Sequence, residues 1–397
     1  MPIQTPLTLP CGAQLSNRII KAAMSEQLAR PDHQPGRGLC QLYRRWGQGG
    51  AGALITGNVM VDPTHLESKK NVVLTHQSDL SSFSKWAASS SPTPLWMQLN
   101  HPGRQCPRYI NPRPMAPSEV DAVKLFRRAN AFGRPRGMTG PEIDAVIKQF
   151  GDAAALAREA GFAGVQVHGA HGYLISQFLS PMLNLRQDAW GGDLKNRSRL
   201  LREIIRCIRR QAGDDFALSV KLNSADFQLG GFSEEDSLST LHMLEKERVD
   251  LVEISGGNYE ASAMFDLTTS TSRREAYFLE FARRARAQIS LPLMVTGGFR
   301  SADVMRAAIT SGALDVVGMA RPFANNPDVA KQLIEGHRLS AESSVKIPWL
   351  FKTATISEAM LSVAQMAVIS RGYEPNGKLG PWLAVSRGLI LNQLRRR

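Results

Sequence analysis

Short runs of apolar residues recur along the chain, separated by longer stretches in which apolar residues return every three or four positions. The runs are almost continuously apolar rather than alternating, which is typical of parallel strands that are covered on both faces. Eight strands are predicted in this way, and they are Ile19–Met24, Ala53–Val59, Pro94–Leu99, Gly164–His168, Ala217–Leu222, Asp250–Ser255, Leu293–Thr296 and Asp315–Met319.

The stretches between the predicted strands carry helix signals. Gly140–Ala160 has a continuous apolar face, with Thr139 placed to cap its start and Pro141 near its first turn. Ser233 is placed to cap a second helix, whose acidic first turn suits the positive end of the helix dipole. Strands that alternate with helices eight times predict an α/β chain folded as a (β/α)8 TIM barrel. A doubly wound sheet is the alternative, but the glycine-rich nucleotide turn expected near its start is missing.

The alternation of strands and helices ends near residue 336, which predicts a division of the chain into two parts. Residues 1–336 would form the barrel. Residues 337–397 would form a basic, helical C-terminal extension, broken over 372–380, that packs on the barrel or on a neighbouring subunit. The apolar residues of this extension favour self-association into a homo-oligomer.

Composition narrows the class of protein. The 397-residue chain is 43% hydrophobic and 21% charged, which is typical of a globular protein with a core. No apolar run reaches about 18 residues, and no basic start precedes an apolar segment, so neither a membrane span nor a signal peptide is expected. Scattered cysteines predict a reducing, cytoplasmic setting and argue against a disulfide framework, a zinc site or an iron–sulfur cluster. These cysteines are Cys11, Cys40, Cys106 and Cys207.

The chain carries a net charge of +13, which raises the question of a nucleic acid partner. The basic residues are spread along the chain, without a stripe interleaved with aromatic residues. The charge therefore favours anionic cofactors or solubility, and no nucleic acid partner is expected.

Polar side chains follow several predicted strands, at the edge where TIM barrels place their chemistry. The fourth strand runs directly into His168, His171 and Tyr173, which presents two imidazoles and a phenol. Gln98 ends the third strand and Lys221 ends the fifth, so both would lie at the same barrel mouth. The H-x-x-H spacing also occurs in metal sites, but no nearby cysteine or carboxylate completes a ligand set, so no metal is expected.

The ends of the seventh and eighth strands predict a phosphate site. Gly297 and Gly298 offer backbone N–H groups before a helix that Ser301 is placed to cap, and Arg321 follows the next strand. Loops after these two strands form the usual phosphate site of TIM barrels, whereas a glycine turn beside a surface arginine is the simpler alternative. The polar groups of the mouth suit a planar, electron-poor ring, and the residues alone leave a flavin, a pyridine and a sugar phosphate open.

Several long motifs, in order, resemble the old yellow enzyme family of FMN-dependent ene-reductases, and within it the bacterial NADH:flavin oxidoreductase branch. The resemblance covers about residues 3–335 and is densest in "HGAHGYLISQFLSPMLNLRQDAWGGDLKNRSRLLREI". Further matching stretches are "LSNRI", "GGAGALITGNVMVDP", "QLNHPGRQ", "VKLNSADF", "VEISGG" and "GMARPF". The resemblance implies an FMN barrel that uses NADPH or NADH to reduce the C=C bond of α,β-unsaturated carbonyl compounds.

The resemblance also implies roles for individual residues. Contacts to the isoalloxazine ring would come from Ala23, Met24, Ser25, Gly57 and Gln98. Lys221 would lie at the N1/O2 side of that ring. The FMN phosphate would be held by Gly297, Gly298, Ala320 and Arg321.

The same resemblance explains the two imidazoles and the phenol. His168 and His171 would hold the substrate's carbonyl oxygen, where negative charge gathers after hydride transfer. Tyr173 would donate the proton to the α-carbon.

The chain departs from the family pattern at two positions of the expected site. Ser25 stands where many relatives have a redox-tuning cysteine, so the flavin potential cannot be assumed. Gln27 replaces a substrate-contacting tyrosine, which changes the expected pocket. No cysteine-rich or dinucleotide-binding domain follows the barrel, so we expect electrons to pass directly from the nicotinamide to FMN.

Four other functions fit parts of the sequence. A tRNA dihydrouridine synthase is also an FMN barrel, but the "GRQCP" stretch around Cys106 lacks that family's cysteine context. A flavin-binding scaffold without turnover would not need an intact set of His168, His171 and Tyr173. An aldolase or isomerase would use Lys221 as a Schiff-base amine, which the ordered motifs disfavour. Another flavin reductase, with an acceptor other than an enone, also remains an alternative.

Overall fold

Eight parallel strands close into a barrel in the computed structural model, which describes residues 2–123, 131–257, 271–297, 299, 302–337 and 354–375. Closure is made by the first strand, where Ile19 pairs with Val317 on one side and Ile20 pairs with Ala53 on the other. The strands are β1 Ile19–Lys21, β2 Ala53–Met60, β3 Leu95–Asn100, β4 Gly164–Gly169, β5 Ala217–Asn223, β6 Leu251–Ser255, β7 Leu293–Thr296 and β8 Val316–Met319. The predicted (β/α)8 barrel is therefore confirmed.

All eight predicted strands are present, and one boundary was wrong by several residues. The prediction ran the first strand to Met24, whereas β1 ends at Lys21. The N–H of Ala22 still donates to the carbonyl of Met319, at 2.8 Å. Beyond it the chain leaves the ladder at the barrel mouth and reaches Gln27, whose φ is 55°. This departure brings residues 23–26 across the mouth.

Helices pack around the outside of the barrel. The helices are α1 Arg37–Gly47, α2 Leu80–Ser89, α3 Gly140–Glu159, α4 Leu174–Leu179, α5 Leu194–Arg197, α6 Arg199–Ala212, α7 Glu234–Lys246, α8 Thr271–Arg286, α9 Ala302–Thr310, α10 Arg321–Asn325, α11 Val329–Ile334 and α12 Ala354–Ile369. Both predicted caps are confirmed. The N–H of Thr139 donates to the Glu142 carboxylate at 2.8 Å, and the Ser233 hydroxyl accepts from the N–H of Asp236 at 3.1 Å.

Short strands outside the barrel have no strong sequence signal and were not predicted. They are Leu7–Thr8 with Gln14–Leu15, Val72–Val73 beside β2, and Met115–Ala116 with Arg136–Gly137. The first pair presents Leu9 and Leu15 to the barrel interior, where they cluster with Trp96, Leu251 and Met294. The N-terminal end of the barrel is therefore filled by apolar side chains, and its polar interior lies toward the C-terminal ends of the strands.

The described part of the C-terminal extension contacts the barrel domain. Helix α12 packs on α1 and α10, and Met366 and Ile369 are each 1% exposed within the main core. Arg45 of α1 forms ion pairs with Asp328 at 2.6 Å and with Glu374 at 2.7 Å. Residues 338–353 and 376–397 lie outside the described residues, so the extension over 337–397 stays a prediction as a unit. Within the described chain, no helix is long and apolar enough to cross a bilayer.

Candidate active site

His168 and His171 lie at the C-terminal end of β4 and are hydrogen-bonded to each other. The distance between His168 Nε2 and His171 Nδ1 is 3.0 Å. On the far side of its ring, His168 Nδ1 lies 2.8 Å from the side-chain carbonyl oxygen of Asn58, while His171 Nε2 lies 2.7 Å from the Ser255 hydroxyl. Because a carbonyl oxygen only accepts, the proton of His168 is on Nδ1. His168 Nε2 therefore accepts the N–H that His171 donates.

The backbone of His171 is held in an unusual conformation. Its φ is 61°, in the left-handed region that L-residues seldom adopt. Two side-chain contacts hold it there, because the His171 N–H donates to Asn223 Oδ1 at 3.2 Å and its carbonyl accepts from Gln105 Nε2 at 2.8 Å. Such a conformation costs about 1–3 kcal/mol and is typical of functional sites.

The two imidazoles are neutral at physiological pH. Burial, together with the positive charge of Lys221, lowers the pKa of His171 to about 3. Burial and the neighbouring His171 and Lys221 likewise hold the pKa of His168 well below its usual range. Neutral rings can donate an N–H to an oxygen that becomes negative, without competing as acids near pH 7.

Tyr173 stands beside the imidazole pair, at the start of α4. Its ring centroid lies 4.7 Å from that of His168, and the residue is 3% exposed. The phenol hydroxyl donates to the carboxylate of Glu67, a residue of the loop that follows β2. Glu67 was not predicted, since a glutamate in a polar loop carries no signal of its own. Nothing along the chain indicates that residues 67 and 173 meet.

A chain of buried polar side chains crosses the upper barrel from β3 to β6. Gln98 Nε2 donates to Gln166 Oε1 at 2.7 Å, and Gln166 Nε2 donates to Glu253 Oε2 at 2.9 Å. The other oxygen of Glu253 lies 2.7 Å from Lys221 Nζ. The predicted residues Gln98 and Lys221 are thus brought together, through two partners that were not predicted. A signal for Glu253 existed, because it is an acid inside the apolar run "LVEIS".

The predicted residues Met24 and Gly57 meet around a buried carboxylate, Glu26. The Gly57 N–H donates to Glu26 Oε1 at 2.8 Å, and Tyr43 donates its hydroxyl to the same carboxylate. A Cβ at Gly57 would lie 2.2 Å from the Met24 carbonyl oxygen and 2.1 Å from Glu26 Oε2. Only glycine fits there. Lys21 is fully buried, and its ammonium donates to the Ile55 carbonyl at 2.7 Å. Its positive charge balances the Glu26 carboxylate, while burial lowers the pKa of Lys21 to about 8.

The C-terminal ends of β7 and β8 offer space and polar groups for an anion. Gly297 has φ 115°, and no atom of the described residues lies within 4 Å of the position that a Cβ would take. The buried hydroxyl of Thr296 has no hydrogen-bond partner among the described residues. Ala320 and Arg321 follow directly at the end of β8. Gly298 and Ser301, which were also predicted here, lie outside the described residues.

Asp62, His65 and His101 form the one cluster of potential metal ligands within the described residues. His65 Nε2 accepts the Met115 N–H at 3.1 Å, and His101 Nδ1 accepts the Gly103 N–H at 3.1 Å. The opposite nitrogen of each ring therefore carries a proton and faces the Asp62 carboxylate, at 2.8 Å and 3.5 Å. A nitrogen that carries a proton cannot bind a metal. The hydrogen bonds of this cluster instead connect the loop of Asp62 and His65 to the loop of His101.

Comparison with known proteins agrees with this geometry. The profile of the NADH:flavin oxidoreductase / NADH oxidase family matches residues 2–340. An NADH-dependent flavin oxidoreductase of Hypocrea jecorina (strain QM6a) is 35% identical over an alignment 385 positions long, which covers 89% of this chain and 95% of that protein.

Solved structures share the barrel. The complex of 2-naphthoyl-CoA reductase with 2-naphthoyl-CoA matches with a TM-score of 0.78 and 26% identity, over 84% of this chain and 52% of that longer chain. The old yellow enzyme homologue from Zymomonas mobilis matches with a TM-score of 0.74 and 22% identity, over 89% and 99% of the two chains, and shows the same fold.

The residues present fit FMN. The open backbone at Gly297 and the unpartnered Thr296 hydroxyl suit a phosphate, and the amide of Gln98 with the ammonium of Lys221 suits a ring bearing carbonyls and ring nitrogens. The chain therefore belongs to the NADH:flavin oxidoreductase / NADH oxidase family, the family of old yellow enzyme, and is an FMN-dependent oxidoreductase that takes electrons from NADH or NADPH.

Proposed function

We propose that this chain reduces the C=C bond of α,β-unsaturated carbonyl compounds. The observation that carries the proposal is the set of two neutral imidazoles and one phenol on the same wall of the barrel mouth. The ring centroids of His168 and His171 are 5.1 Å apart, and that of Tyr173 is 4.7 Å from His168. Bound FMN would supply the hydride chemistry, accepting from the nicotinamide and giving to the β-carbon of the alkene.

The imidazole pair would bind the carbonyl oxygen of the substrate. As negative charge develops on that oxygen, an N–H donor aimed at it lowers the barrier, and losing such a donor typically costs about 2.7–4 kcal/mol. The oxygen would enter at the shared edge between His168 Nε2 and His171 Nδ1 and replace the present bond between the rings. His171 Nδ1 already carries an N–H there, and His168 would donate as well once its proton moves from Nδ1 to Nε2 and the Asn58 amide turns to donate to Nδ1. The Ser255 hydroxyl, 2.7 Å from His171 Nε2, keeps the second ring oriented meanwhile.

Tyr173 would donate a proton to the α-carbon from the face opposite the hydride. A phenol positioned as a general acid contributes about 10²–10⁴-fold to a rate. The residue is 3% exposed, so water has little access to the phenol. Because only this hydroxyl would face the substrate, the proton would be delivered to the α-carbon from one side.

The FMN contacts implied by the resemblance form part of the proposal. Ala23, Met24, Ser25, Gly57 and Gln98 would border the ring, and Gly297, Gly298, Ala320 and Arg321 would hold the phosphate. Lys221 would stabilise the negative charge that reduction places at the N1/O2 side.

The dihydrouridine synthase alternative is disfavoured by the state of Cys106. That thiol is fully buried, and burial raises its pKa to about 11, which keeps it protonated and unreactive at neutral pH.

Isotope labelling tests the proposed reaction. The protein would be given 2-cyclohexenone with NADH deuterated at the transferred position, and separately with ordinary NADH in D₂O. The proposal predicts cyclohexanone labelled at the β-carbon in the first case and at the α-carbon in the second. Consumption of NADH without any saturated ketone, with this enone and with a panel of other activated alkenes, would contradict it.

A further inference from the structure

Glu67 connects the proposed proton donor to the rest of the site. We propose that Glu67 passes its proton to Tyr173 in the same step in which the phenol gives its proton to the substrate, so that carboxyl and phenol act as a concerted relay. This inference rests on the proposed function, because it assigns Glu67 to the proton that Tyr173 delivers. Glu67 touches no reacting carbon in this account and acts through Tyr173 alone.

The two oxygens of Glu67 have different partners. Oε1 accepts the hydroxyl of Tyr173. Oε2 accepts from Asn71 Nδ2 at 3.2 Å and lies 3.5 Å from the hydroxyl of Ser25. Asn58, which binds His168, also donates to this carboxyl. The Glu67 carboxyl therefore contacts the proposed proton donor Tyr173, the serine proposed to contact the flavin, and Asn58, which holds His168.

The backbone of the loop holds this carboxyl in place. Asn71 Oδ1 accepts the N–H of Glu67 at 2.9 Å and the N–H of Ser68 at 2.8 Å. Asn71 thus fixes the main chain and one carboxyl oxygen at once. A side chain tied down at both ends loses little further entropy when it transfers a proton, which suits a relay better than a mobile surface acid.

The surroundings favour a carboxyl that carries a proton. Burial raises the pKa of Glu67 above its ordinary value, although hydrogen bonds from Tyr173, Asn58, Asn71 and Ser25 act in the opposite direction. Glu67 is only partly buried, whereas Tyr173 is 3% exposed. Glu67 is consequently the less buried residue of the pair and the one closer to solvent.

The proton count of the relay balances. The O–H bond of Tyr173 breaks as the α-carbon forms its new C–H bond, and the hydride at the β-carbon comes from NADH or NADPH through FMN. For this the phenol turns its O–H from Glu67 Oε1 to the α-carbon, and a proton carried on Oε1 is donated to the phenol oxygen in its place. That O–H bond of the Glu67 carboxyl breaks as the phenol is restored. Glu67 is left as a carboxylate and takes a proton from water before the next turnover.

Rapid kinetics on the FMN-loaded protein test this relay. The variants are Glu67→Gln, Tyr173→Phe and the double variant, with Glu159→Gln as a matched control because Glu159 is exposed at the end of α3. Glu67→Gln keeps the size of the side chain but removes the acidic proton. Each variant is reduced with NADH and then reoxidised either with 2-cyclohexenone or with ferricyanide, which requires no proton on carbon.

The relay predicts that Glu67→Gln slows the enone step on the order of tenfold and leaves NADH reduction and ferricyanide reoxidation unchanged. It also predicts no further loss when Glu67→Gln is added to Tyr173→Phe, because residues that act as one unit are not additive. A proton inventory should be curved for the natural protein and linear for Glu67→Gln. An unchanged enone rate in Glu67→Gln, or an equal loss in both backgrounds, overturns the relay.

A spectroscopic readout does not depend on turnover. In protein labelled with ¹³C at tyrosine Cζ, the resonance missing from Tyr173→Phe belongs to Tyr173. Glu67→Gln should move that resonance, and Glu159→Gln should not. An unmoved resonance overturns the contact. If Tyr173→Phe itself leaves the enone step unchanged, the proton donor of the proposed function is wrong and the relay falls with it, whereas a slow Tyr173→Phe with an unaffected Glu67→Gln removes the relay alone.

Discussion

The ammonium of Lys221 lies 2.7 Å from the carboxylate of Glu253, its neighbour on the adjacent strand of the barrel. Lys221 is 4% exposed and Glu253 is fully buried. A buried pair of this kind is costly to break from one side, by about 3–5 kcal/mol, because it leaves an unpaired charge. Glu253 therefore neutralises most of the positive charge of Lys221, the residue proposed to face the flavin.

Removing that balance should change the reduction potential of FMN. Glu253→Gln leaves the charge of Lys221 uncompensated, which favours the reduced, more negative flavin, so we expect the potential to rise. Lys221→Met removes the cation and should lower the potential. Dye equilibration measures both, alongside unfolding by denaturant to confirm that each variant is folded. Potentials that stay at the natural value in both variants would contradict the placement of Lys221 at the flavin.

The left-handed backbone of His171 allows a graded test of the imidazole pair. Asparagine tolerates φ near 61° and keeps one N–H donor, so His171→Asn should retain much of the enone activity. His171→Ala removes the donor and should lower kcat/KM for 2-cyclohexenone by about 10²–10³-fold. Reoxidation by ferricyanide is the internal control for both variants. Equal activity in His171→Ala and the natural protein would exclude an oxyanion role for this ring.

The close packing at Gly57 predicts a steric effect on the wall of the flavin site. Because a Cβ would lie 2.2 Å from the Met24 carbonyl oxygen, Gly57→Ala must displace residues 24–26. We expect weaker FMN binding and a loss of stability of about 1–3 kcal/mol. Gly140→Ala is the matched control, since at the start of α3 an added Cβ would have no atom of the described chain within 4 Å. A Gly57→Ala protein with natural FMN affinity and stability would show that this contact is not tight in solution.

Two histidines with lowered pKa values predict how stability depends on pH. Burial lowers the pKa of His101 to about 4, and burial with the charge of Lys221 lowers that of His171 to about 3. An unfolded histidine titrates near about 6.5, so between these values the unfolded chain binds more protons than the folded one. Stability should consequently be complete above about pH 6.5 and fall as pH decreases toward 4, by about 3 kcal/mol for His101.

Denaturant unfolding at a series of pH values between 7 and 4.5 measures this slope. His101→Gln can still donate to Asp62 and should reduce the slope, because the titrating ring is gone while its hydrogen bond remains. A slope that is the same in His101→Gln and the natural protein would assign the pH dependence to other groups.

Apolar patterning was enough to predict the barrel and to place all eight strands. It predicted β1 too long, because the residues that leave the barrel there, Ala22 to Met24, are as apolar as those inside it. The hairpin of Leu7–Thr8 and Gln14–Leu15 was missed because two-residue strands are too short for any period to appear.

Part of the site could be predicted from the sequence because it lies in one continuous segment. His168, His171 and Tyr173 lie in one continuous motif that follows a strand, so their proximity follows from local structure. Their partners Asn58, Glu67 and Ser255 come from other segments, and only the folded barrel brings them together. Glu253 and Lys21 lie inside apolar runs, where a charged residue is easy to recognise. Their roles could be assigned only once the structure showed their partners, Lys221 and the Ile55 carbonyl.

The central claim is tested most directly by an anaerobic visible spectrum of the purified protein, titrated first with NADH or NADPH and then with 2-cyclohexenone. We expect a flavin band that bleaches with the nicotinamide and returns with the enone while oxygen is absent. A bleached band that the enone does not restore, but that oxygen does, would contradict alkene reduction. A colourless protein that gains no band on addition of FMN would contradict the flavin site itself.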